Sequence, residues 1–291
     1  MASIQELRTR IRSVGNIKQI TRAMEMVATT KLRRFQDRAT ASRPYAQEVA
    51  GMVGRLASVL GDKLQDRPLF REGEGDRILV LLVTSDRGLC GAYNTNLLRA
   101  MEAFVEEQEQ PVTFFVYGRK GQQYLSKRGF DVERFLVDPP LEAMDYRNAA
   151  ITARMLTAEF VSGKYSSVHV FYTAFESMVK YVPTLSQVLP IDGSALAGED
   201  EDDSGTTDVF LEPDADTIFD ALVPRYLETR LYNALLEALT SEYASRRFAM
   251  KNATDAATDM QKALKGVYNK KRQEGITKDL LDIVGGAAAV K

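Results

Sequence analysis

Side chains able to do covalent or metal chemistry are few in this chain, and their spacing argues against a catalytic site. There is one cysteine, Cys90, and one histidine, His169. A single cysteine excludes an internal disulfide and a multi-thiolate metal site. A single histidine excludes His-pair zinc motifs and speaks against a Ser-His or Cys-His pair. His169 sits in Ser167-Val-His-Val-Phe-Tyr172, an alternating strand pattern, so a structural role is expected. Ser85-Asp-Arg-Gly-Leu-Cys-Gly91 follows an apolar run of strand length. Gly88 and Gly91 would allow a tight turn at the carboxyl end of that strand, where open sheets often bind ligands. However, neither G-x-x-x-x-G-K-[ST] nor G-x-G-x-x-G is found there. A turn that contacts another protein is the expected reading, and no cofactor is expected. Cys90 beside Arg87 has the setting of a mildly reactive thiol, with a small apolar residue as the default. Glu199-Asp-Glu-Asp-Asp203 lies among Gly, Ser and Thr, which suggests a solvated loop rather than a metal site.

The charge distribution says more than its total. The 291 residues carry a formal charge of −2. From Met1 to Arg43 there are ten Lys/Arg against Glu6, Glu25 and Asp37, and from Arg246 to Gln273 eight against Asp255 and Asp259. Two basic ends suggest a shared acidic partner. They lack the aromatic interleaving of single-strand binders, so protein rather than nucleic acid is expected. No run approaches the roughly 20 apolar residues that span a bilayer. The start has no apolar signal core, so an intracellular chain is expected, free to be peripheral to a membrane.

Both ends read as long helices. Ile4, Leu7, Ile11 and Val14 keep one face by steps of three and four. Ile17, Ile20, Met24 and Val27 extend the stripe with a stammer, which would overwind a coiled coil. A helix over 3–58, bent at Pro44, would be roughly 80 Å long at about 1.5 Å per residue, and needs a partner. After Pro224 no proline interrupts the chain, and Phe248, Ala249, Ala253, Ala256, Met260, Ala263, Leu264, Val267 and Tyr268 supply a facing stripe. Between the ends, Arg77–Thr84, Val112–Tyr117 and Val168–Tyr172 read as buried strands. Helical stretches over 95–108, 120–127 and 146–162 alternate with them. The expected fold is α/β plus a long antiparallel helical coiled coil: an N-terminal shaft helix over 1–58, a small Rossmann-like, mostly parallel sheet domain over 76–212 with an acidic loop at 192–208, and a C-terminal shaft helix over 214–291. A coiled-coil adapter with an α/β head would share this plan. A small α/β enzyme would need a constellation that the sequence lacks.

Three stretches carry a family resemblance. They are Ile17-Lys-Gln-Ile-Thr-Arg-Ala-Met-Glu-Met-Val-Ala28 with Thr30–Arg33 and Ala41–Tyr45; Ser85–Gly91; and Ser241–Ala256 with Val267–Gln273 and Ile276–Leu280. Together they closely resemble the ATP synthase gamma family from end to end. The resemblance implies a non-catalytic rotor inside a ring of three alpha and three beta subunits. Its α/β domain would rest against epsilon and the membrane c-ring, on the cytoplasmic face of a bacterial inner membrane. Rotation would bias the beta sites among open, loose and tight states and so couple proton or sodium flow to ATP synthesis. By matching positions, the resemblance implies beta-subunit contacts by Met24, Arg87, Cys90, Arg272, Gln273 and Thr277, and a rotor-ring contact by Glu212 in Leu211-Glu-Pro213. Val209 stands where relatives often carry an aromatic residue. The two-cysteine insert of chloroplast relatives is missing.

Overall fold

The computed structural model describes residues 3–193, 212 and 214–289. In chain order the elements are α1 (Ile4–Leu60), β1 (Arg77–Val83), α2 (Tyr93–Glu107), β2 (Val112–Tyr117), α3 (Arg119–Arg128), β3 (Asp131–Leu136), α4 (Tyr146–Val161), β4 (Tyr165–Phe175), β5 (Tyr181–Leu189) and α5 (Ala215–Ala289). Short 3-10 turns occupy Gly61–Leu64 and Leu141–Ala143. Pro44 and Pro224 lie inside α1 and α5. The acidic loop expected at 192–208 lies outside the described residues, save Asp192 and Gly193. The chain divides into two compact units, one of residues 30–245 and one of 1–29 with 246–291. Both long helices contribute to each.

The larger unit is built on one five-stranded sheet of order β3-β2-β1-β4-β5. β3, β2, β1 and β4 run parallel, and β5 pairs antiparallel with β4. β1 lies at the centre, which explains its unbroken apolar run. Ile78, Val80 and Leu82 pack with Leu97, Met101 and Leu125 of α2 and α3, while Leu79, Leu81 and Val83 are equally buried on the other face. There α4 covers the sheet, and the Tyr117 hydroxyl lies 2.7 Å from Thr152 Oγ1. The three expected strands are present, and two more were not expected. β3 carries Asp131, Glu133 and Arg134 along one edge of the sheet. β5 forms the other edge and holds Pro183 opposite Thr173, a place that tolerates a missing ladder donor.

His169 is a structural strand residue. Its ring packs on Phe104 at 5.9 Å, its Nε2 lies 3.0 Å from Ser167 Oγ, and its buried Nδ1 finds no partner among the described residues. Burial pushes its pKa down to about 4. The folded state therefore resists a proton that the unfolded chain accepts near 6.5. Stability from the neutral ring is complete above pH 6.5 and is lost as pH falls toward 4. Between pH 7 and 5, wild type should lose about 2 kcal/mol more than His169→Gln, at 1.36 kcal/mol per pH unit. Denaturant unfolding of both chains at the two pH values checks this. Equal losses would mean that the imidazole is solvated.

In the smaller unit the two helices pack antiparallel. Thr254 Oγ1 meets Thr21 Oγ1 at 2.8 Å, Gly15 lies against the Gln261 side chain, and Gly275 against Ile4. On α1 the seam runs through Leu7, Ile11, Val14, Lys18, Thr21, Glu25 and Ala28, with Gly15 and Met24 half-covered beside it, and the same repeat continues to Leu32 and Phe35. Steps of four and three alternate without interruption, so the stammer expected at Ile17–Val27 is absent. On α5 the matching row is Met250, Thr254, Ala257, Gln261, Leu264, Tyr268, Lys271 and Gly275. The seam keeps a strict 3.5-residue period and accepts polar side chains to do so. Ile17, Ile20 and Val27, expected in it, are exposed instead, Ile20 by 58%. Phe248, Met260 and Val267 on α5 are displaced in the same way.

Candidate functional site

Two places could carry function: the turn after β1 in the larger unit, and the outer faces of the helix pair in the smaller one. In an open α/β sheet the crevice at the carboxyl ends of the strands, where the winding reverses, is the usual ligand position. Here that reversal falls between β1 and β4, and the Ser85–Gly91 turn stands above it. The turn is tightly organised. Asn94 Oδ1 accepts from the Ser85 amide at 3.1 Å, Asn94 Nδ2 donates to Ser85 Oγ at 2.7 Å, and Ser85 Oγ donates to the Arg87 carbonyl at 2.8 Å. Helix α5 closes the crevice from outside. Ser245 Oγ donates to the Cys90 carbonyl at 2.6 Å, and the Tyr93 hydroxyl donates to the Ala238 carbonyl at 3.2 Å. The turn is thus pinned to a helix of the same chain through the Cys90 carbonyl, and the Ser85 amide, a donor that could have met a phosphate, is taken by Asn94.

This placement decides how the turn can meet a partner. Cys90 is 2% exposed, and its sulfur accepts from Asn94 Nδ2 at 3.2 Å. Arg87 and Leu89 are exposed instead, and Leu89 holds φ at +64°, a left-handed conformation rare for a bulky residue. Among the described residues, no group of three or more His, Cys, Asp or Glu side chains could hold a metal ion. The Glu199–Asp203 cluster lies outside them.

The smaller unit presents the other surface. Its sequence holds fifteen Lys/Arg against seven Asp/Glu, in a chain of net charge −2. Ile17, Ile20, Met26 and Val27 on α1, and Phe248, Met260, Val267, Ile276, Leu280 and Leu281 on α5, leave large apolar groups in solvent among these cations. So many exposed apolar residues in one small unit mark an interaction surface. Periodicity alone placed several of them in the seam. The strict heptad that begins at Leu7 was the signal that would have placed them outside it.

The structure brings some expected contact residues together and keeps others apart. Arg272, Gln273 and Thr277 are exposed on one stretch of α5, with Thr277 Oγ1 donating to the Gln273 carbonyl at 3.0 Å. Met24 is half-buried beside the seam. Since Thr21 faces Thr254, Met24 lies some twenty residues along α5 from Arg272, or about 30 Å at 1.5 Å per residue. Arg87 and Cys90 share the turn in the larger unit. Glu212 is exposed; Val209, Leu211 and Pro213 lie outside the described residues. No helix among the described residues is long and apolar enough to cross a membrane.

Comparison with known proteins covers the whole chain. A family model described as ATP synthase matches residues 3–290. The ATP synthase gamma chain of Mycolicibacterium gilvum is 42% identical, across 99% of this chain and 98% of that one. The gamma chain of Desulfosudis oleivorans is 42% identical across the full length of both. Among solved structures, a chain of the Euglena gracilis mitochondrial ATP synthase (OSCP, F1 and c-ring) matches with a TM-score of 0.69 at 21% identity, covering 99% of this chain and 94% of that one. A chain from the Tetrahymena thermophila mitochondrial ATP synthase central stalk and c-ring matches with a TM-score of 0.60 at 24% identity, covering 80% and 99%.

Proposed function

The chain belongs to the ATP synthase gamma family, and from that premise we propose that its helix pair turns as a coiled-coil shaft inside a ring of three alpha and three beta subunits. It is a central stalk subunit without a catalytic site of its own; the catalytic sites of the complex lie on the beta subunits. The observation that carries the proposal is the smaller unit, basic overall and lined with apolar side chains that its own seam leaves uncovered. An apolar sleeve with acidic groups at its mouth would complement both properties. Apolar contact is non-directional, so it holds a shaft without fixing its angle.

In this reading Met24, Arg87, Arg272, Gln273 and Thr277 meet the beta subunits, and Glu212 meets the membrane c-ring. Cys90 contributes through the turn that it packs beneath rather than through its thiol. Epsilon binds the α/β domain. The assembly stands on the cytoplasmic face of a bacterial inner membrane and couples proton or sodium flow to ATP synthesis. Each angle of the shaft favours a different state at each beta site, and nucleotide affinity acts back on the angle by the same free energy.

The experiment is reconstitution with alpha and beta subunits fixed to a surface and a probe attached to the α/β domain. The expected result is a stoichiometric complex whose probe rotates while ATP is hydrolysed. Failure to enter the ring, or hydrolysis with a stationary probe, would return the chain to the adapter reading.

A further inference from the structure

If the two long helices turn as one shaft, torque must cross between them and the sheet, and apolar packing is poorly suited to carry it. Such packing resists separation but opposes sliding only weakly, whereas hydrogen bonds are defined in distance and angle. Helix α5 is hydrogen-bonded to the α/β domain at several points, among them Ser245 to the Cys90 carbonyl and Arg230 to Ser186, whereas the bonds that engage both long helices at once gather at the six residues from Leu141 to Tyr146 that enter α4. Leu141 and Met144 are buried and anchor this segment. Asp145 caps α4, its Oδ1 accepting from the Asn148 amide at 2.8 Å. The segment then touches both long helices at three levels.

At the first level the Glu142 carboxylate accepts from Lys31 of α1 and from the Tyr243 hydroxyl of α5, and Lys31 Nζ also lies 3.2 Å from that hydroxyl. Burial alone would raise the Glu142 pKa, but these hydrogen bonds hold it below the usual carboxylate range. At the second level Arg38 of α1 donates to the Met144 carbonyl and, at 3.1 Å, to the Tyr232 hydroxyl of α5. At the third level the Tyr146 ring stands edge-on to Tyr45 of α1 and Tyr232 of α5, and its hydroxyl donates to Glu228 at 3.2 Å. Lys31, Arg38 and Tyr45 are spaced by sevens, so one face of α1 meets the segment throughout.

Resting on the rotor reading above, we propose that the segment 141–146 is a torsional strap that locks α1 and α5 to the α/β domain, with Glu142 and Arg38 as its positioning residues. The direct pair between Ser42 and Asn233, at 2.8 Å, joins the helices without passing through the strap and serves as the control.

The test uses the surface-fixed complex with a probe on the α/β domain, and reads the angular spread of the probe while the motor dwells. Subunit content, melting and ATP hydrolysis are measured alongside. Glu142→Ala with Arg38→Met should widen the angular variance about twofold, because residues in one network couple rather than add, while Ser42→Ala leaves it unchanged. Should the double variant fail to assemble, Glu142→Gln keeps the shape and loses the charge, and should still widen the spread. Unchanged variance in an assembled variant overturns the strap. A wild-type complex that hydrolyses ATP with a stationary probe overturns the rotor reading instead.

Discussion

Gly118→Ala will cost the α/β domain a large part of its stability. Gly118 precedes α3 at φ +94° and ψ +132°, a conformation that side chains avoid. An added Cβ would sit 2.1 Å from the Thr84 carbonyl oxygen and 2.5 Å from Thr84 Oγ1. Neither can retreat. Thr84 is fully buried, its amide donates to the Tyr117 carbonyl, its hydroxyl donates to the carbonyl of Tyr117 or Gly118, and the same oxygen accepts from the Gly121 amide at 2.8 Å. Backbone strain of about 1–3 kcal/mol and overpacking of a similar size would add. A loss of roughly 3–5 kcal/mol is a large part of the margin of a domain this size. Denaturant unfolding of the purified chain measures it, and a loss under about 1 kcal/mol would mean that the sheet accommodates the methyl group.

Met24→Lys will separate hydrolysis from pumping without unfolding the protein. Met24 is half-buried at the flank of the seam, so a lysine there can extend its head to water along the helix surface. The methionine it replaces is uncharged and flexible, and slides past a carboxylate without a directional bond. If acidic groups of the beta subunits pass this point, in keeping with the contact proposed above, a lysine would form a charge-assisted hydrogen bond at some angles only. About 2 kcal/mol of added depth would slow escape from those angles roughly thirtyfold. In an assembled complex of normal melting temperature, beta sites that turn over before the shaft leaves those angles hydrolyse ATP without driving the ring, so ATP-driven ion pumping should fall several-fold further than hydrolysis does. Parallel loss of both, with lowered melting, would place Met24 in the packed seam.

The central strands were legible because burial on both faces demands an unbroken apolar run, and β1 shows it plainly from Ile78 to Val83. The edge strands were not. β3 carries Asp131, Glu133 and Arg134 among its six residues, and β5 contains Pro183, because an edge needs neither an apolar face on both sides nor every ladder donor. The helices were legible from their length and their few breakers, Pro44 in α1 and Pro224 in α5, but their mutual face was not. Ile17 and Ile20 look like seam residues to any count of apolar positions, whereas the true seam runs through Lys18, Thr21 and Glu25. The strap could not be read from sequence at all. Glu142 finds Lys31 across 111 positions and Tyr243 across 101, and no local pattern announces either partner.

The polar seam has a consequence for the chain before assembly. A pair joined through Lys18, Thr21, Thr254 and Gln261 gains less from closing than one joined through leucines, and the apolar groups that would have stabilised it face water. Outside an assembly the chain therefore displays isoleucines, leucines and valines to solvent, surface of the kind by which chaperones and proteases triage proteins. A copy made in excess of the subunits that would cover that surface is then expected to be degraded rather than held in reserve.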